Sequence, residues 1–213
     1  MPCVCWARCW GCNMSQPTMP PLPPQLPFPL GEELTMQLDL VQTGGVCFYS
    51  LNLLGQARVN RVAATALAAR MRALTPACDV LVAAEAKSIG LVQELALLLG
   101  HDQYVILRKS RKAYMVDPLV TAVRSITTTG EQQLILDRHD IDLLKGKTAC
   151  FVDDVISTGA TWLAAQDLFR RATGDDFACC ACVATEGKAL EANPHSFVRL
   201  GHLPLYDMNG KAI

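Results

Sequence analysis

Apolar positions along this chain fall into short stretches whose period changes from one to the next. Val59, Val62, Ala63, Ala66, Leu67 and Leu74 recur at helical spacing, with Arg58, Arg61, Arg70 and Arg72 between them, which predicts a helix over about 57–74. DVLVAA (79–84) is then a short apolar run. Residues 88–99 return to helical spacing and stop at Gly100, and QYVIL (103–107) is rich in strand-forming residues. TAVRSITT (121–128) and QQLILD (132–137) read as two strands joined through Thr129, Gly130 and Glu131. TACFVDD (148–154) predicts a buried strand, 160–172 a helix, and FACCACVAT (177–185) a further buried strand.

Strands that alternate with helices predict an α/β fold, a central mostly parallel sheet flanked by helices on both faces. Ligands of such sheets sit at the carboxyl ends of the strands. The loops after residues 84, 107 and 154 are therefore where chemistry is expected. Residues 17–30 carry seven prolines, which are expected to rule out helix and sheet ladders there. The reading is a disordered Cys- and Pro-rich extension over 1–30 and one folded domain over 31–213.

Composition narrows the partners. A net charge of −1 and a hydrophobic fraction of 51% argue for a globular chain with no nucleic acid partner. A spanning helix needs roughly 20 apolar residues in a row, and no run of that kind is present, so no membrane association is expected. Arg8, Asn13 and the prolines interrupt any signal-peptide core, and a cytoplasmic location follows as the expectation. In that reducing compartment the ten cysteines read as small hydrophobes rather than disulfides. Cys3, Cys5, Cys9 and Cys12 are spaced unlike the paired knuckles of a structural zinc site. His101, His139, His195 and His202 stand at no metal-ligand spacing either.

The densest chemistry lies at Phe151-Val152-Asp153-Asp154-Val155-Ile156-Ser157-Thr158-Gly159-Ala160-Thr161. An apolar strand runs into two acids and then into a small-residue turn that opens a helix. Free N–H groups and the helix dipole at such a turn favour a phosphate. Ser157, Thr158 and Thr161 add hydroxyls, and Gly159 allows close backbone approach. Two carboxylates beside that turn suit the vicinal hydroxyls of a sugar. The string resembles the motif by which type I phosphoribosyltransferases bind phosphoribosyl pyrophosphate (PRPP). The resemblance implies that fold, with a small hood and a flexible lid loop, and extends over about residues 50–205. It implies that Asp153 and Asp154 hold the ribose hydroxyls and act in catalysis, and that Ser157, Thr158, Gly159, Ala160 and Thr161 hold the 5-phosphate. Side chains alternate along a strand, so both acids are expected to serve one ligand only if the strand ends near Asp153.

Two further loops follow strands. Glu85-Ala86-Lys87-Ser88 opens a helix, and Arg108-Lys109-Ser110-Arg111-Lys112 holds four cations. Both resemble the pyrophosphate-binding segments of adenine and xanthine phosphoribosyltransferases, where the first loop reads E-S-R-G or E-A-S-G; E-A-K-S departs at its third and fourth positions. The resemblance assigns Glu85, Ala86, Lys87, Ser88, Arg108, Lys109 and Lys112 to pyrophosphate, and residues 113–121 to the lid. Magnesium is expected through PRPP oxygens, with no direct protein ligand.

The base is less tightly specified. Hypoxanthine-guanine enzymes carry an acid where this chain has Ser157, and a hydroxyl without a neighbouring base is a poor proton carrier at neutral pH. Adenine enzymes take a Glu from the lid, whereas Asp117 and Glu131 are the acids near it here, and Glu85 is the remaining candidate, for proton handling or loop structure. V-R-S-I-T (123–127) resembles the xanthine enzymes. The implied partners are PRPP and a purine base, adenine first and xanthine second. The hood is expected from 51–56, with Leu54, Val155 and Ile156 against the base. A homodimer using the apolar 34–54 region is expected, and a non-catalytic PRPP sensor is the rival reading. Purine repressors of that kind carry a DNA-binding helical domain before the fold, which Cys- and Pro-rich residues 1–30 do not resemble.

Overall fold

Strand β4 (Val80–Ala84) is buried at every residue, as are β9 (Cys179–Glu186) and all but Val155 of β8 (Ala149–Ile156). Near-continuous apolar runs of this kind fit strands covered on both faces. In the computed structural model, which describes residues 22–74, 77–123, 132–187 and 197–213, these strands form the middle of a five-stranded sheet. Its order is β10 (Phe197–Leu203), β9, β8, β4, β5 (Tyr104–Leu107), and every pairing is parallel. Helices α1 (Ala57–Met71) and α2 (Ile89–Leu99) cover one face, packing Leu67, Leu91 and Leu95 on Leu81, Val152 and Val183. Helices α3 (Arg138–Leu144) and α4 (Ala160–Thr173) cover the other with the antiparallel pair β6 (Leu119–Val123) and β7 (Gln132–Leu136).

The expected βαβ rhythm is present to within a few residues. Helix α1 stops at Met71, three residues short of the expected end, and α3 enters where no helix was expected, capped by the Asp137 carboxylate, which accepts from Arg138 N–H at 2.8 Å. The hairpin pairing is present, but β6 begins at Leu119 and so takes in 119–121 of the expected lid. The expected turn at Thr129, Gly130 and Glu131 lies outside the described residues, as do Cys3, Cys5, Cys9 and Cys12. Cys47, Cys150, Cys179, Cys180 and Cys182 are buried free thiols.

The proline-rich segment departs from expectation. Residues Gln25–Pro29 form a strand, β1, at the edge of a second, antiparallel sheet of order β1, β2 (Thr35–Thr43), β3 (Val46–Ser50), β11 (Leu205–Asp207). Pro27 and Pro29 are two apart, so their missing N–H groups both face the edge that carries no partner among the described residues, where proline costs nothing in the ladder. Phe28, between them, is buried. The small hood over the parallel sheet is this four-stranded unit rather than 51–56, which links β3 to α1.

Hood and sheet share one core, since Phe28, Leu38 and Tyr49 belong to the same buried cluster as Leu81 and Val152. Gly201 of β10 lies tight against the hood: a Cβ there would stand 2.7 Å from the Phe28 ring. Overpacking a filled site costs about 1–3 kcal/mol. Gly201→Ala is therefore expected to lower the denaturation midpoint by a corresponding amount, and an unchanged midpoint in urea would show that Phe28 yields freely.

Candidate active site

The turn between β8 and α4, expected to hold a phosphate, opens a helix N-terminus onto a cavity. Gly159 takes the left-handed backbone (φ 77°) at the helix N-cap, a conformation that costs glycine little. The first N–H groups of α4 have no intrahelical acceptor and face a cavity of about 130 Å³. Ser157, Thr158, Gly159, Ala160 and Thr161 all line it, with Val123 and Gln132 of the β6–β7 pair on the far rim. Trp162 fixes the first turn from below, its ring 5.6 Å from both Phe151 and Phe177.

Strand β8 does not end near Asp153. It continues through Ile156, pairing Asp153 with Cys182 and Ile156 with Thr185. Both acids nevertheless reach one space, because β4 pairs with β8 only as far as Val152 and its strand stops at Ala84. The vacated edge is taken by the 85–88 loop, and a cavity of about 240 Å³ there is lined by Asp153, Asp154, Lys109 and all four loop residues Glu85, Ala86, Lys87 and Ser88. Ser88 donates from Oγ to Asp153 Oδ1 at 2.6 Å and accepts the Asp154 N–H at 3.1 Å. Lys87 Nζ stands 3.8 Å from Asp154 Oδ2. Burial pushes the Asp153 carboxyl well above the usual aspartate range, the neighbouring Asp154 charge adds to this, and the Ser88 hydroxyl opposes it.

Glu85 binds the two loops together. One oxygen accepts the Lys109 N–H at 2.9 Å and the other pairs with Arg108 at 3.4 Å. This brings Lys109 to the cavity while Arg108 is spent on Glu85. Lys112 donates to Ser110 Oγ at 2.7 Å, within its own loop, and neither it nor Arg108 is among the lining residues. In the expected lid segment Met115 is buried, whereas Tyr114 and Val116 are exposed.

A third cavity, of about 360 Å³, separates the hood from the carboxyl edge of the parallel sheet. Its walls are Val46 and Phe48 of β3, Leu205 of β11, Ser157 and Thr158 of the cradle, and Glu186. Of the residues expected at the base, Leu54 is 59% exposed and is not among those walls. Val155 and Ile156 line the phosphate cavity instead, with Ile156 packed into the α4-side core. Glu186 escaped the sequence reading because the expected strand stopped at 185. The signal was present: an acid follows a long, almost wholly apolar run, as Asp153 and Asp154 do on β8. Burial raises the Glu186 carboxyl above its usual range; the Ser157 hydrogen bond opposes this, Asp154 adds to it, and Lys87 again opposes it.

The phosphoribosyl transferase domain family matches residues 52–201, well over half of the chain. The chain belongs to that family. It is thus a phosphoribosyltransferase, with the α/β fold expected from the strand–helix rhythm. No curated protein matches the sequence. Among solved structures, the adenine phosphoribosyltransferase of Rhodothermus marinus is similar at 22% identity and a TM-score of 0.58, over 84% of this chain and 94% of that one. The Giardia lamblia enzyme, solved with 9-deazaadenine, gives 18% and 0.60 over 78% and 93%. The Trypanosoma brucei adenine enzyme, solved with AMP, pyrophosphate and ribose 5-phosphate, gives 18% and 0.56 over 73% and 70%. At these identities the likeness shows the shared fold.

A carboxyl whose pKa is raised in the native state binds more protons folded than unfolded, so its cost to stability grows as pH rises through and above the ordinary aspartate range. Removing the Asp153 charge should relieve that cost. Asp153→Asn is expected to raise the melting temperature of the ligand-free protein at pH 8, by about 2–4 °C for each kcal/mol recovered, with the gain shrinking towards pH 4. Thermal melts across that range check it, and a gain that is absent at pH 8 or constant with pH contradicts it.

Proposed function

We propose that this phosphoribosyltransferase moves the ribose 5-phosphate of PRPP onto a purine base, adenine first, releasing pyrophosphate and the nucleoside monophosphate. One observation carries the reading: the three cavities meet at the β8–α4 turn. Asp153, Val155 and Thr161 line both the phosphate and the loop cavities, while Ser157 and Thr158 line both the phosphate and the hood cavities. A ligand with a phosphate at one end, a sugar at the junction and two substituents diverging from it suits that layout.

In this reading the 5-phosphate rests on the N–H groups of 157–161 and the helix dipole. Asp153 and Asp154 accept hydrogen bonds from the ribose hydroxyls. Lys87 and Lys109 face the pyrophosphate, whose charge grows as the anomeric carbon becomes oxocarbenium-like, and fixed cations there favour departure. Glu85 acts as a positioning residue through its tie to Lys109. The carboxylates and the phosphate-rich ligand are hard oxygen donors, which fit Mg²⁺; bound through PRPP, the ion supplies further charge neutralisation of the leaving group. The base enters from the hood cavity, between Phe48 and the cradle, so attack and departure lie on opposite sides of the sugar. Segment 113–118 covers the site during transfer and excludes water.

Adenine stands first because the similar solved enzymes are adenine phosphoribosyltransferases and because Ser157 replaces the acid of the hypoxanthine-guanine branch. Purine salvage in the cytoplasm, by a homodimer, completes the proposal. No helix among the described residues is long and apolar enough to cross a membrane.

The purified chain, assayed with PRPP, Mg²⁺ and each of adenine, xanthine, hypoxanthine, guanine and uracil, is expected to convert adenine fastest. Asp153→Asn/Asp154→Asn is expected to reduce kcat/KM by at least about 100-fold, the scale of losing transition-state electrostatic contacts. PRPP binding with turnover of no base would replace this reading with a sensor. Lys109→Ala should weaken the enzyme by about 10-fold or more, as loss of a charge-assisted contact does, whereas Lys112→Ala, whose ammonium is held by Ser110, should change kcat/KM by less than about 3-fold.

A further inference from the structure

Glu186 is a buried acid that faces the hood cavity, and neither the strand–turn motif nor the pyrophosphate loops account for it. Among the described residues it is the only charged one lining the cavity, whose other walls are Val46, Phe48, Leu205 and small polar groups. An acid held in such surroundings is costly unless a ligand or neighbour satisfies it. Strand β9 pairs Thr185 with Ile156, so Glu186 follows in register beside Ser157, which lines the same cavity, and this places the acid at the cradle end.

We infer that Glu186 determines base specificity, selecting a 6-aminopurine over a 6-oxopurine by pairing with the edge that carries N7 and the 6-substituent. The inference rests on the purine-transfer reading and deepens it. A base attached through N9 presents its imidazole side to the sugar end, so N7 lies within reach of a group there while N1 does not. On that edge a 6-aminopurine offers one acceptor, N7, and one donor, the amine. A carboxylic acid offers the matching donor and acceptor from a single planar group. A 6-oxopurine offers two acceptors on the same edge, and one of the pairings is replaced by opposed lone pairs, a basis for rejection. Burial favours the neutral acid that this pairing uses; the charged groups facing it are Asp154, which adds to that effect, and Lys87, which opposes it.

The test compares kcat/KM for adenine and hypoxanthine, and the dissociation constant of PRPP with Mg²⁺, in the full chain and in Glu186→Gln and Glu186→Met. Glutamine keeps one donor and one acceptor, so Glu186→Gln is expected to retain the adenine preference to within about 3-fold, while Glu186→Met, similar in volume, loses about 30-fold or more of it, the range seen when a site's polar match to its base is removed. PRPP affinity stays within about 3-fold in both, showing the cradle intact. Preference surviving in Glu186→Met, or lost equally in Glu186→Gln, overturns the inference. So does a parallel fall of both bases and of PRPP affinity, which marks a structural role through Ser157. A wild-type chain inactive on every purine sinks the purine-transfer reading itself.

Discussion

Two adjacent carboxylates buried within an otherwise apolar strand set the terms for the rest of the site. Asp153 and Asp154 are each only 9% exposed, and ions so placed cost several kcal/mol unless neighbours compensate. The compensation comes from three directions: the Ser88 hydroxyl on Asp153, the Lys87 ammonium near Asp154, and the positive end of α4 one turn further on. Two come from the 85–88 loop at the start of α2 and the third from α4, so the carboxylate pair is tied to where α2 begins, how that loop closes and where the β8–α4 turn lies. The compensation is partial, which leaves Asp153 with a raised pKa. That residual cost is what a ligand with sugar hydroxyls would relieve, and it is a reason to regard the pair as built for binding rather than for stability.

The parallel sheet was legible because its strands are buried on both faces and therefore read as unbroken apolar runs. VLVAA and FACCACVAT need no alternation to be recognised. The cradle was legible for a related reason: two acids and a small-residue turn have no place inside an apolar run unless chemistry requires them. What the sequence concealed depended on pairing between distant segments. β1 was hidden by its prolines, whose tolerance rests on which edge of the hood they face, a tertiary fact. The extent of β8 past its acids was hidden because it depends on where β4 stops. Glu186 was hidden because its partners, Ser157 and the walls of β3 and β11, come from far along the chain.

The basic loop shows how charge on the page differs from charge at the site. Four cations in five residues suggested a single pyrophosphate clamp. In the folded chain Arg108 is paired with Glu85, Lys112 turns back on Ser110, and Lys109 lines the cavity. The division follows from Glu85 bridging the loops: it anchors the second loop through a side chain and a backbone N–H, and the next residue's side chain is thereby aimed inward. In the proposed reading, leaving-group, sugar and base binding rest on separate segments that meet at one turn.

A crystal structure of the chain with PRPP and Mg²⁺ tests that shared turn most directly. The 5-phosphate is expected on the N–H groups of 157–161, the ribose hydroxyls on Asp153 and Asp154, and the pyrophosphate between Lys87 and Lys109 with the hood cavity still open. A pyrophosphate lying in the hood cavity against Phe48, or a ribose away from the two acids, would contradict that arrangement.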